Sequence, residues 1–172
     1  MKDIIRIGNG QGFWGDSIDA PVKLAKGGQL DYLTLDYLAE VTLSIMQRQK
    51  LKNPNDGFAR DFIDLVQRIL PEIQDDSLKV ITNAGGVNPQ ACRERLLKIS
   101  DNKIRIGVIQ GDDIYKDIRS LRSKGVAFDH MDTGQSFDNI SDKIYSANVY
   151  IDSFNIAKAL EKGAQIVLAG RV

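Results

Sequence analysis

Histidine, cysteine and tryptophan occur once each in the 172-residue chain, and each scarcity removes a class of chemistry. One cysteine, Cys92, cannot build a disulfide framework or a paired C-x-x-C zinc site, and this usage fits a reducing compartment, with the cytoplasm as the expectation. Cys92 shares helical spacing with Leu96 and Ile99, which places it on an apolar face as a buried structural thiol rather than a nucleophile. One histidine, His130, excludes a multi-histidine metal centre. The strings H-E-x-x-H, G-x-S-x-G and the Walker A motif are absent. Excess charge is also lacking: Lys plus Arg and Asp plus Glu number 23 each, so no global field steers the chain to nucleic acid or to an acidic membrane. Long apolar runs are missing too. In Met1-Lys2-Asp3-Ile4-Ile5-Arg6 the charge of Arg6 interrupts what could have become a signal-peptide core, and no later segment approaches membrane-spanning length.

What is present is ordinary globular composition, 42% apolar and 27% charged, in a length suited to one domain over residues 1–172. Short β-branched runs alternate with helical patterns, the mark of βα units. The runs fall at 4–7, 30–35, 79–82, 104–109, 126–128, 148–151 and 164–172. The interval after the second run holds two helical patterns, through Leu38 to Met46 and through Phe62 to Ile69, with Pro71 ending the latter. A mostly parallel sheet with helices on both faces, doubly wound and Rossmann-like, is the expected fold. Seven such units leave an incomplete β/α barrel as the alternative.

In such a sheet ligands bind beyond the carboxyl ends of the strands, where loops and helix N-termini converge. The first loop contains a literal G-x-G-x-x-G at Gly10, Gly12 and Gly15, with Asp36 after the second run in the place of a ribose partner. Phe13 and Trp14 occupy positions where small residues normally let backbone approach a pyrophosphate, and Asp16 adds charge of the wrong sign. These residues disfavour NAD and favour a cleft wall with Trp14 as an apolar surface, or a glycine turn with Asp16 capping the next helix.

The loop Asn83-Ala84-Gly85-Gly86-Val87-Asn88-Pro89 reads as an anion or oxyanion cradle, with Gly85 and Gly86 exposing backbone N–H groups and Asn83 offering an amide; the plainer reading is a sharp turn capped by Asn88. Asp36 and Glu40 stand four residues apart where a helix begins, so both carboxylates can face one way as a general base or as ligands of a divalent metal; capping with an acidic first turn is the alternative. Asp112, beside Asp113, is a ligand-binding or capping carboxylate, and Arg171 is a ligand-binding cation after the last run. His130, flanked by acids, reads as a loop residue that a carboxylate could tune. The catalytic candidates are therefore Asp36, Glu40 and Asn83, with no cofactor identified.

The motifs Gly10-Gln11-Gly12-Phe13-Trp14-Gly15-Asp16, Leu30-Asp31-Tyr32-Leu33, Asp36-Tyr37-Leu38-Ala39-Glu40 and Asn83-Ala84-Gly85-Gly86-Val87-Asn88-Pro89 occur in a recognisable order. Met46-Gln47-Arg48, Gly57-Phe58-Ala59-Arg60-Asp61-Phe62, Asp132-Thr133-Gly134 and Ser146-Ala147-Asn148 accompany them. The set resembles the acyclic terpene utilisation protein AtuA family over essentially the whole chain. The resemblance implies a bacterial-type cytoplasmic protein encoded with genes for degrading citronellol and geraniol, a route through acyl-CoA thioesters and a biotin-dependent carboxylase. Its substrate would be a small molecule, an acyl-CoA or a branched carboxylic acid. A non-catalytic substrate-binding or carboxylase-associated component and a nucleotide-binding protein are the rival readings; a homo-oligomer is compatible with any of them. Two departures stand out. Asp152-Ser153 replaces the small residues expected after the sixth run, and family members continue past Ala169-Gly170-Arg171-Val172, so the resemblance implies that 1–172 corresponds to the N-terminal part of a longer family domain.

Overall fold

In the computed structural model, which describes residues 3–172, five parallel strands form one sheet in the order β1-β2-β3-β5-β4. Met1 and Lys2, where the N-terminal reading begins, lie outside the described residues. The strands are β1 (Ile7–Gln11), β2 (Tyr32–Leu35), β3 (Lys79–Thr82), β4 (Ile106–Val108) and β5 (Ile166–Leu168). The helices are α1 (Asp19–Gly27), α2 (Glu40–Lys52), α3 (Arg60–Arg68), α4 (Leu70–Gln74), α5 (Pro89–Ile99), α6 (Ile118–Ser123) and α7 (Phe154–Glu161). The strands do not close into a barrel, which removes that alternative and leaves β1 and β4 at the edges.

Strand order determines which helices cover which face. The chain steps from β1 through β2 and β3 to β4 in one direction, and right-handed crossovers then put α1 to α5 on one face. The step from β4 to β5 runs back, so α7 lies on the other. Close contacts agree: a β-carbon on Gly10 would come 2.7 Å from Pro21 in α1, while one on Gly107 would come 3.0 Å from Ala159 in α7. Gly10 is needed because α1 crosses β1 too closely for any side chain.

The helix-rich face carries the core. Leu33, Leu35, Val80, Ile166 and Leu168 point into it and are at most 3% exposed, against Phe62, Leu65, Val66, Met46 and Leu96 from the helices. Each such side chain contributes roughly 1.5–3 kcal/mol by leaving water. The opposite face is covered unevenly. Val167, beside α7, is fully buried, but Ile7 on β1 is 66% exposed. A concavity therefore opens over the bare part of the sheet.

Several expected strands are displaced. Pairing of β1 begins beside Arg6, whose N–H donates to the Asp31 carboxylate (2.9 Å) and whose carbonyl accepts from Asp31 and Tyr32. Ile4 and Ile5 thus precede the strand, and Gly8 and Gly10 lie inside it instead of after it. Residues 126–128 form no strand: Phe128 leaves the sheet to pack on Phe137, with ring centroids 5.6 Å apart. Residues 148–151 form only an antiparallel bridge, Asn148 with Asp113, beyond the end of β4. Pro71 does not simply end the preceding helix, because it starts the short α4 at a position that needs no N–H donor.

Candidate functional site

Where the order reverses, the loops after β3 and β4 depart to opposite faces, with the end of β5 between them. This is the switch point at which parallel sheets hold ligands. An open cavity of about 400 Å3 lies there, lined by Asn9, Thr34, Asp36, Asn83, Ile156 and Gly170 among others.

Its best-defined polar feature joins two of the expected residues. Asn83 Nδ2 donates to Asp36 Oδ1 at 2.6 Å, and Asn83 Oδ1 accepts the Tyr37 N–H at 2.7 Å. The Leu38 N–H also donates to Asp36 Oδ1, at 3.1 Å, and no described residue bonds Oδ2. The Asp36 N–H donates to the Gln11 carbonyl (3.0 Å), which ties the ends of β1, β2 and β3 into one rim. Asp36 is exposed on this rim, while Asn83 is half-buried.

Arg171 supplies the cation after β5. Its side chain is only 16% exposed, its guanidinium donates to the Leu38 carbonyl and the Tyr150 hydroxyl, and it lies 4.8 Å from the centroid of the Tyr150 ring. Glu40 approaches it at 3.5 Å but is itself 83% exposed. The sequence does not single out Tyr150, because residues 148–151 read as a strand. The aromatic residue in that run, close to a polar loop, was the only available signal.

The expected Asp36–Glu40 pair does not share a helical face. Glu40 is the first residue of α2 and Asp36 lies in the preceding turn, so one meets Asn83 and the other Arg171. Thr42 organises this helix start instead: its hydroxyl accepts the Ala39 N–H at 2.6 Å. Among the described residues no group of three or more His, Cys, Asp or Glu side chains is placed to hold a metal ion.

The second glycine loop is a packing device. The N–H groups of Gly86, Val87 and Asn88 donate to the carbonyls of Asn83, Gly57 and Gly85 at 2.9–3.0 Å, and Ala84 N–H donates to Thr82 Oγ1. Those donors are unavailable to an oxyanion, which corrects the cradle reading for the Gly86 N–H. Nor does Asn88 cap α5 with its side chain; its amide donates to the carbonyls of Pro54 (2.8 Å) and Asp56 (2.7 Å), clipping the α2–α3 loop.

The first glycine loop, though next to Asp36, does not line the same cavity. Trp14 turns to the helix-rich face, where its indole N–H donates to Asp61 Oδ1 at 3.0 Å, so it is not a wall of this cleft. Phe13 is 62% exposed. Gly15 has a φ of +106° and closes the turn. Asp16 accepts the Gly12 N–H (3.3 Å) and the Ser17 N–H (2.7 Å), whereas α1 starts only at Asp19; Asp16 therefore closes the loop rather than capping the helix. The carboxylate occupies the donor that a pyrophosphate would need.

Asp112 is 7% exposed and does not line the cleft. Asn148 Nδ2 donates to it at 3.0 Å, and a β-carbon on Gly170 would come within 2.1 Å of its carboxylate. It joins the β4 and β5 loops. His130 organises a turn, its Nδ1 accepting the N–H groups of Asp132 and Thr133 at 3.1 and 3.3 Å. Cys92 is fully buried and its thiol is pushed well above the usual range by desolvation. The Tyr37 phenol is likewise pushed up, first by burial and then by the negative charge of Asp61.

A family model described as acyclic terpene utilisation family protein AtuA matches residues 5–172. No curated protein and no solved structure matches the chain. Among the described residues no helix is long and apolar enough to cross a membrane.

Proposed function

The chain belongs to the acyclic terpene utilisation family AtuA, and from that membership we propose an enzyme of acyclic terpene or branched-chain acid catabolism. Its substrate is a small acyl-CoA or carboxylic acid, received in the cleft at the carboxyl ends of β2, β3 and β5. The observation that carries this reading is the Asp36–Asn83 bond of 2.6 Å on the rim of that cavity, with Arg171 behind it between the lining residues Gly170 and Val172 and bonded to the Leu38 carbonyl.

The division of labour follows from charge and position. Asn83 is fixed at both ends of its amide, so it holds Asp36 Oδ1 in one place and leaves Oδ2 as the acceptor for a substrate proton. Arg171 is bonded mainly to neutral oxygens, so much of its positive charge remains to attract a substrate carboxylate or phosphate. Ile81 and Ile156 give the cavity an apolar side suited to a branched hydrocarbon chain.

The test is incubation of the protein with branched acyl-CoA thioesters and the corresponding free acids, with products followed by mass spectrometry. Asp36→Asn keeps the shape and removes the charge, and should slow turnover by roughly 100-fold or more at an unchanged melting temperature. Turnover that survives both Asp36→Asn and Asn83→Ala would show that the chemistry lies elsewhere.

A further inference from the structure

A second concavity lies in the excursion that follows β4. Tyr115–Asp117 make one 3-10 turn before α6, and residues 137–143 fold back over it to enclose a groove of about 490 Å3. Ile118 and Phe137, 7% and 8% exposed, form its apolar floor. The Tyr115 hydroxyl donates to the Ile144 carbonyl at 3.3 Å and ties one wall to the other.

Charge is distributed unequally around this groove. Arg122 lies 5.3 Å above the Phe137 ring centroid and pairs with Asp138 at 2.7 Å, holding that carboxyl below the usual range, so its charge is largely spent. Lys116 and Arg119 line the same groove and make no ion pair with any described residue. The Tyr115 ring beside them is 39% exposed. Asp142 is the remaining acid on the lining.

A plain inorganic anion would satisfy the two cations but would meet Asp142 without a compensating bond. An acidic peptide would set its own carboxylates against Asp142. A ligand anionic at one end, planar in another part and carrying hydroxyl donors satisfies all three features, and the volume lies within the usual range for a small-molecule site. We propose that this groove binds a phosphorylated nucleoside, with the phosphate on Lys116 and Arg119, the base stacked on Tyr115, and Asp142 accepting from the ribose hydroxyls. The site is separate from the Asp36 cleft and rests on the groove alone. Its ligand is either a free mononucleotide or the nucleotide end of a CoA thioester.

Calorimetric titration of the whole protein with AMP, CoA, adenosine and inorganic phosphate tests the proposal. AMP or CoA should bind, with adenosine and phosphate weaker by about tenfold or more. Tighter binding of AMP than of CoA identifies a free mononucleotide as the source, and the reverse order identifies CoA. The double variant Lys116→Glu, Arg119→Glu should lose that affinity without a change in melting temperature, and Tyr115→Ala should weaken it about tenfold while Tyr115→Phe retains it. Asp36→Asn should leave AMP binding untouched, which separates a failure here from a failure of the proposed reaction. The proposal is overturned if neither AMP nor CoA binds, if phosphate binds as tightly as AMP, or if the double variant keeps full affinity.

Discussion

Alanine at position 86 should destabilise the protein severely, although the sequence presents Gly86 and Gly12 as equivalent members of two glycine-rich loops. Gly86 adopts a φ of +53°, and its β-carbon would lie 2.3 Å from Met46 Sδ and 2.8 Å from the Gly57 carbonyl oxygen. The left-handed conformation costs an L-residue about 1–2 kcal/mol. Met46 is fully buried and the Gly57 oxygen belongs to backbone, so the clash must be relieved by shifting packed groups, at about 1–3 kcal/mol more. The sum, roughly 2–5 kcal/mol, corresponds to a fall in melting temperature of about 4–20 °C in a chain of this size. Gly12 is the control. Nothing lies within 4 Å of its would-be β-carbon, so Gly12→Ala should change stability by less than about 0.5 kcal/mol. Calorimetry and urea unfolding followed by circular dichroism measure both. A Gly86→Ala protein that melts with the wild type but loses ligand binding would refute the packing explanation and restore the anion cradle.

Other expected outcomes come from buried or paired groups. Cys92 should react with a thiol reagent only as the protein unfolds, because the thiol is buried and held protonated; rapid labelling under native conditions would contradict that placement. Tyr37→Phe should cost less than about 1 kcal/mol or even stabilise, since the buried hydroxyl and the Gln11 amide oxygen both lack a hydrogen bond of normal geometry; a large loss in thermal unfolding would reveal a bond there. Arg105 donates to both oxygens of Asp76 at 2.8–2.9 Å and holds that carboxyl below its usual range. A depressed pKa contributes stability above the unfolded value, about pH 4, and loses it as pH falls through the folded value. The stability difference between wild type and Arg105→Ala should therefore be constant from neutral pH down to about pH 5 and shrink below pH 4, leaving the part due to the Gly163 carbonyl bond. A difference that instead grows in acid would remove the Asp76 explanation.

The helical runs were readable because each has an apolar face of the right period: Phe62, Leu65, Val66 and Ile69 repeat in sequence and are all buried. Strand positions were less legible. A β-branched run such as 148–151 has the same local preference whether it finds a sheet or only Asp113, and that choice depends on a partner many residues away. The site was partly legible for a related reason. Asp36 and Asn83 stand at the ends of strands, where topology places ligands, and they do meet. Their bond could not be inferred from spacing, since they are 47 residues apart and become neighbours only through pairing of β2 with β3.

Local preference and composition by themselves determined the α/β class, the burial of Cys92 and the family resemblance that the match over residues 5–172 bears out. These depend on residue type and on near neighbours in the chain. Tertiary structure alone decided that Gly86 serves packing, that Trp14 faces Asp61 instead of the cleft, and that Arg171 meets Tyr150. The glycine loops show why: a glycine in sequence records only the absence of a side chain. Whether the space it leaves belongs to a ligand, to Met46 or to open solvent depends on what long-range strand pairing and helix packing bring beside it.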